Sequence, residues 1–446
     1  MPTSVPRATR VIVISDLHLG GGEPRMMSQP ERLAAFIRDL PNRASSNEDL
    51  ELVIAGDFVD FLAIEPFAAW TPDPIVAIAK IEATMSGFFR SIFDALAEFV
   101  AHGHRLTVIL GNHDVEMALP PVQETFLERL GARHHQVYFV DDGRAYRIGR
   151  VLIEHGNRYD GANRNDWGNL RAIASALSRG ESPNTNLEVS PGSRIVERVV
   201  NKLKSRYPFI NLLQPEGELL ALLLISFEPS LKWDVGKLAW LFRAGVRKVN
   251  ERGQPPGTTQ YVGYLPLDEP DPELEKAYGD TYDALQRPDQ QVSLVGDWGQ
   301  LLVQSDSLSE LLDRGEPIRS ERLQQIRLVM RRLLLDDVSA SAHGDTGPYG
   351  KAADQMRQRE IEVVVMGHTH QARHIGPDTK ACYINTGTWA DVVRVPTFLL
   401  QAGTDNELAT FLQELRTQPH RQFEPAYATL RVEADGSVTE ARLAKP

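Results

Sequence analysis

The sequence predicts an α/β fold interrupted by a large, mainly helical insertion. Three observations predict it. Strand-like and helix-like runs alternate over residues 10–160, short β patterns return after Gly367, and the stretch between them has helical periodicities, proline-rich breaks and few strand signals. Val11–Ile14, Leu52–Ala55, Leu106–Leu110 and Val363–Met366 are short apolar runs, the text of strands buried on both faces. Pro30–Leu40 and Ile75–Ala101 read as helices, the second carrying Ile78, Ile81, Met85, Phe88, Phe89, Ile92, Phe93, Leu96 and Val100 at helical spacing. From Gln136 to Ile153 the pattern becomes β runs broken at Asp141-Asp142-Gly143 and Gly149, as in a meander. Ala381–Thr386, Tyr427–Val432 and Ser437–Leu443 read as strands, the last two joined by the turn text Glu433-Ala434-Asp435-Gly436.

The domain expectation follows: a core from 1–160 and 361–446, with 161–360 inserted as a helical cap. Breaks such as Gln254-Pro255-Pro256-Gly257 and Asp268-Glu269-Pro270-Asp271-Pro272 punctuate the cap. Two of its helices, Arg194–Lys204 and Glu321–Leu335, pair an apolar stripe with several arginines and lysines. Such helices either pack an apolar face inward with a solvated outer face, or offer cations to a phosphorylated substrate or an anionic membrane.

Composition removes several function classes. The 446 residues carry a net charge of −12, which disfavours a broad nucleic-acid footprint. The single cysteine, Cys382, excludes an intrachain disulfide, fits a reducing cytoplasmic setting, and reads as a small buried hydrophobe. No apolar signal core stands in Met1–Arg10, and the apolar stretch Leu219–Phe227 is far short of a membrane span. With Trp233, Trp240, Leu241 and Phe242 that stretch reads either as cap core or as an apolar rim for peripheral membrane contact.

Five motifs carry the chemistry: Asp16-Leu17-His18, Gly56-Asp57, Gly111-Asn112-His113-Asp114, His155-Gly156 and Gly367-His368-Thr369-His370. Each follows a strand-like run, so loops at the carboxyl ends of several strands can aim carboxylates, imidazoles and an amide at one point. Two divalent ions about 3.5–4 Å apart suit phosphate ester hydrolysis, because they lower the pKa of a bridging water and neutralise the phosphoryl oxygens. A ligand set without thiolate favours Mn, Fe or Zn. Gly296-Asp297 and His343-Gly344-Asp345 imitate two motifs but lack their context, and His102, His104, His134, His135, His374 and His420 read as ordinary histidines.

The five motifs in order resemble the calcineurin-like metallophosphoesterase superfamily over residues 10–160 and 362–390. The resemblance implies a four-layer α/β/β/α sandwich. It implies a first metal on Asp16, His18 and His370, a second on Asn112, His155 and His368, and Asp57 bridging both. It further implies that His113 acts at the leaving oxygen and that Asp60 holds His113 in place. Ser15–Gly20 and Gly56–Asp60 are also similar to bacterial UDP-2,3-diacylglucosamine hydrolases, which cleave a pyrophosphate in lipid A synthesis, although those enzymes usually carry arginine at the position of His113. Protein Ser/Thr phosphatases of the superfamily carry arginine where this chain has Phe61.

The expected activity is therefore binuclear-metal hydrolysis of a phosphodiester, pyrophosphate or phosphomonoester by a bridging hydroxide. The expected substrate is a phosphorylated small molecule or a nucleotide-linked lipid. A nuclease, a protein phosphatase and a non-catalytic scaffold are the alternatives, the last weakened because no ligand is missing. Asn157 and Arg158, beside His155, read either as substrate-phosphate contacts or as the anchor of the first cap helix. Asn385–Trp389 reads as a structural loop closing the site.

Overall fold

The computed structural model describes residues 7–133, 135–161, 163–214, 223, 226–227, 307–328, 330, 347–357, 360–378, 381–396, 398–399, 403–417 and 420–446. Its core is two sheets. The first runs β13-β12-β1-β2-β3-β4, built from β1 (Ala8–Ile14), β2 (Glu48–Ala55), β3 (Arg105–Ile109), β4 (Val137–Val140), β12 (Tyr427–Val432) and β13 (Val438–Ala444). Strands β1 to β4 are mutually parallel, and β12 and β13 extend the sheet antiparallel. The second sheet runs β5-β6-β8-β10-β9, from β5 (Tyr146–Ile148), β6 (Val151–Ile153), β8 (Val363–Met366), β9 (Arg373–Ile375) and β10 (Cys382–Asn385).

Side-chain alternation assigns the layers. Val11, Val13, Val53 and Ala55 share one buried cluster with Val151, Ile153, Val363, Val365, Cys382 and Ile384, so this cluster lies between the sheets. Their alternates Ile12, Ile14, Leu52 and Ile54 pack outward on the helices α1 (Pro30–Asp39), α2 (Pro74–Ser86), α3 (Arg90–Ala101) and α4 (Pro120–Leu130). On the other side Leu152, Val364 and Met366 pack against Ala352 and Ala353 of the helix Gly347–Arg357. The period of two along each strand thus produces the helix, sheet, sheet, helix order that the resemblance implies.

Two expectations need correction. Ile75–Ala101 is two helices, because the chain leaves helical geometry at Gly87, where ψ is −140°. The run Gln136–Ile153 is no single meander. Strand β4 joins the first sheet parallel to β3, whereas β5 and β6 form a hairpin in the second. The Asp141-Asp142-Gly143 break carries the chain from one sheet to the other.

Part of the inserted stretch is visible. Helix α5 (Trp167–Ser178) follows the first core segment, and 191–203 is helical with a π turn at Val196–Val200. Asn201 Nδ2 donates to the Leu62 carbonyl at 2.8 Å and Lys204 Nζ to the Ala63 carbonyl at 3.3 Å, seating this helix on the loop after Asp60. Tyr207, Phe209, Leu223, Phe227, Leu323 and Ile326 form a second buried cluster with Val393, Phe411 and Leu412. Strand β7 (Leu213–Gln214) pairs with β11 (Val393–Arg394) in the same region. Trp233, Trp240, Leu241, Phe242, Gly296-Asp297, His343-Gly344-Asp345, His134 and most of Leu219–Phe227 lie outside the described residues. Among the described residues no helix is long and apolar enough to cross a membrane.

Candidate metal centre

Each motif stands just past the carboxyl end of a strand: Asp16 after β1, Asp57 after β2, Asn112 and His113 after β3, His155 after β6, and His368 after β8. Loops from both sheets therefore meet at one end of the sandwich. Aiming side chains inward there demands unusual backbone. Asp16, His18, Asp57, His368 and His370 have φ of 55°, 47°, 50°, 70° and 55°, the left-handed region. Such conformations cost about 1–3 kcal/mol each and persist only where surrounding structure enforces them. Here it does. Asp16 N donates to Gly56 O at 3.0 Å, and Leu17 N and His18 N both donate to Asp57 O at 2.9 Å. Within the second sheet Gly367 N donates to His155 O at 2.9 Å, and between the sheets His368 N donates to Asp16 Oδ2 at 3.0 Å.

The motif glycines have a steric role. A Cβ on Gly56 would fall 2.3 Å from His155 Nδ1, one on Gly111 2.1 Å from Asp57 Oδ1, and one on Gly367 2.5 Å from Asp16 Oδ2. Each glycine thus clears space for a candidate ligand contributed by a different motif.

The structure brings the predicted residues into three overlapping groups, and the donor atoms within each lie within 4.8 Å of one another: Asp16, His18 and His370; His18, Asp57 and His113; and Asp57, His155 and His368. His370 Nε2 is 3.2 Å from Asp16 Oδ1 and 3.0 Å from His18 Nε2, while His155 Nε2 is 3.2 Å from Asp57 Oδ2. His18 Nε2 lies 3.8 Å from Asp57 Oδ2, so the groups meet at Asp57. Residues 9–189 match the family model described as calcineurin-like phosphoesterase. Over that stretch the chain is similar to the calcineurin-like phosphoesterases. No curated protein matches the chain. The phosphoesterase match ends before β8, and it is the parallel pairing of β8 with β6 that brings His368 and His370 to the site.

The donor set of the phosphoesterase site fits divalent metal. Asn112 Oδ1 and His155 Nε2 are buried and have no hydrogen-bond partner. His155 Nδ1 faces the Ala55 carbonyl at 2.9 Å, and a carbonyl only accepts, so Nδ1 carries a proton and Nε2 is the nitrogen turned to the Asp57 carboxylate at 3.2 Å. A cation between Nε2 and that carboxylate, a proton or a metal ion in its place, satisfies both. Electrostatics agree. Burial lowers the His155 pKa, but the Asp57 charge outweighs it and pushes the group up to about 9. Burial likewise opposes ionisation of Asp57, yet His155, His113 and His18 hold its carboxyl well below the usual range.

His113 joins the site through His18 and Asp57, its ring edge-on to that of His18 with centroids 4.8 Å apart. Its Nδ1 is 3.0 Å from Asp60 Oδ1, and its backbone N donates to Asp57 Oδ1 at 2.9 Å. The His113 side chain is 18% exposed, against 2% for His18, 1% for His155, 8% for His368 and 7% for His370, which makes it the imidazole most open to a substrate. Burial opposes ionisation of Asp60, but His113 and then His18 hold its carboxyl well below the ordinary range.

Asn157 and Arg158 make other contacts. Asn157 Nδ2 donates to Asn163 O at 2.9 Å. Arg158 Nε pairs with Glu154 at 3.2 Å, and its Nη2 donates to the Gly143 carbonyl. These bonds fasten the segment that follows His155. Three residues with structural duties have little signal of their own. Asp114 accepts from Phe58 N at 2.8 Å and Gly111 N at 2.6 Å, which shapes the Gly-Asn-His-Asp turn. Asn385 Nδ2 donates to Gly367 O at 2.7 Å, and Thr388 Oγ1 to Asp16 O at 2.7 Å, so the polar text after β10 braces two motifs. Among the ordinary histidines, His374 lies 3.4 Å from Asp378 and His420 2.7 Å from Glu414.

Proposed function

We propose that this chain is a binuclear metal-dependent phosphoesterase. The supporting observation is the meeting at Asp57 of the Asp16/His18/His370 and Asp57/His155/His368 groups, each of a composition suited to a divalent ion. In this reading Asp16, His18 and His370 would hold one ion, Asn112, His155 and His368 would hold the other, and Asp57 would be shared by both. Mn, Fe and Zn all suit these donors. Bound ions of this kind supply Lewis acidity at the phosphoryl oxygens and an activated water.

The chain's own residues would do the rest. Asp57 and the buried imidazoles fix the site's geometry. His113, with Nδ1 anchored on Asp60, presents Nε2 to the leaving oxygen, and the Asp60 carboxylate stabilises the imidazolium that donates the proton. The inserted 161–360 stretch acts as a cap that selects substrate, since it enters beside His155 and leaves before His368. Net charge and the likeness at Ser15–Gly20 and Gly56–Asp60 favour a phosphorylated small molecule or nucleotide-linked lipid over nucleic acid. We place the protein in the cytoplasm, with contact to a membrane surface where the substrate is a lipid.

The test is hydrolysis by the metal-loaded protein of a panel of phosphomonoesters, phosphodiesters and pyrophosphates, including nucleotide-linked lipids. Metal-dependent turnover on at least one class is expected, with preference for the apolar substrate. Full metal content without turnover on any of them would overturn the reading in favour of a scaffold.

A further inference from the structure

Asp160 belongs to none of the five motifs, yet its Oδ2 lies 3.1 Å from His368 Nε2, across 208 positions of sequence. Both side chains are largely shielded, at 17% and 8% exposure. We propose that Asp160 is a positioning residue, which accepts the Nε2–H of His368 and leaves Nδ1 as the ring nitrogen turned to Asp57 and His155. This inference rests on the reading of His368 as a metal ligand.

The carboxylate is itself held on its far side. Asn163 Nδ2 donates to the same Oδ2 at 2.8 Å, Asn163 N donates to Asp160 O at 3.1 Å, and Asp160 N donates to Asn157 O at 3.0 Å. Asn157 Nδ2 closes the turn on Asn163 O at 2.9 Å. The donor atoms of Asp57, His155 and His368 form one compact group, and Asp160 is not a member of it. A ring whose Nε2 donates to a carboxylate carries its lone pair on Nδ1, so the contact selects the tautomer as well as the ring orientation. His155 is fixed from the opposite nitrogen, its Nδ1 held by the Ala55 carbonyl. The two histidines of this group are thus anchored in complementary ways. Asp160 stands at the entry to the inserted stretch, so the same contact ties that stretch to the metal group.

The test has two readouts. Long-range ¹H–¹⁵N spectra of the metal-free protein, with His368→Gln to assign the ring, should show His368 as the Nε2–H tautomer. Asp160→Ala should lose that preference, and Asp160→Asn, which keeps an acceptor oxygen, should retain it. Asn163→Ala, which removes the turn contact without touching His368, should leave the tautomer unchanged. In calorimetric titration with Mn²⁺, Asp160→Ala should weaken one binding event about 10–100-fold and spare the other, as loss of an outer carboxylate does. An Nδ1–H tautomer in the wild type would overturn the proposal. So would unchanged Mn²⁺ binding in Asp160→Ala, or the same loss in Asn163→Ala, which would assign the effect to the turn. A wild-type chain that binds fewer than two ions would fail the binuclear reading itself, and the tautomer spectra would still judge Asp160.

Discussion

Replacing Gly111 by alanine perturbs the site with a single carbon. The added Cβ would lie 2.1 Å from Asp57 Oδ1 and 2.6 Å from Asp57 N, where ordinary contact begins near 3.4 Å. Gly111 is not among the residues of positive φ, so alanine adds no backbone strain and the effect is purely steric. Neither contact can stand, so the Asp57 backbone must shift by roughly 0.8 Å and its carboxylate retreat by roughly 1.3 Å, several times the about 0.2 Å tolerance of metal–ligand distances. An error of about 1 Å in a reacting group can cost on the order of 10²-fold in rate. Gly111→Ala should therefore lose bound metal and at least about 10²-fold of turnover while remaining folded. Gly22→Ala is the control, because nothing lies within 4 Å of its added carbon. Elemental analysis with hydrolysis of bis(p-nitrophenyl) phosphate reads both effects, and circular dichroism confirms folding. Wild-type metal content and turnover in folded Gly111→Ala would refute the packing argument.

Three further outcomes follow from the same contacts. His113→Ala should keep its metal and lose about 10²–10⁴-fold in turnover on esters with poor leaving groups, and less on aryl esters. An equal loss on both kinds would favour electrostatic stabilisation over proton donation. Asp114→Ala should destabilise the fold by roughly 2–4 kcal/mol in urea unfolding, because the buried N–H groups of Phe58 and Gly111 lose their acceptor. A change under about 0.5 kcal/mol, the scale of an ordinary surface substitution, would contradict that role. Metal loading should release protons. Burial lowers the His155 pKa but Asp57 outweighs it, to about 9, so at neutral pH a metal ion displaces a proton there and apparent affinity rises toward that pH. In the metal-free protein the raised pKa stabilises the fold fully below about 6.5, and that contribution is lost as pH climbs through 9. Calorimetry in buffers of different ionisation heat measures the release, and the absence of any would contradict the assignment.

The strands were legible because each is a short apolar run whose alternate residues face different layers, as Val11 and Val13 do against Ile12 and Ile14. The helix break at Gly87 was not, since the apolar spacing runs on through Phe88 and Phe89 and a single glycine is tolerated within many helices. Nor does the text of β4 and β5 say which sheet each joins, because that depends on distant partners. The motif residues were visible as local words. What surrounds them was not. Asp160 gains its meaning from His368, far away in sequence, and Gly56, Gly111 and Gly367 matter through atoms that belong to other motifs. The left-handed backbone at Asp16, His18, Asp57, His368 and His370 runs against local preference, and only the contacts made after folding hold it.

The central claim is that two groups of ligands share one carboxylate. Metal content of the Mn²⁺-loaded protein, measured by plasma mass spectrometry on the wild type and on Asp57→Ala, addresses it most directly. About two ions per wild-type chain are predicted, with both weakened in Asp57→Ala, because Asp57 would be the ligand common to the two sites. A single ion in the wild type, or two retained in Asp57→Ala, would contradict it.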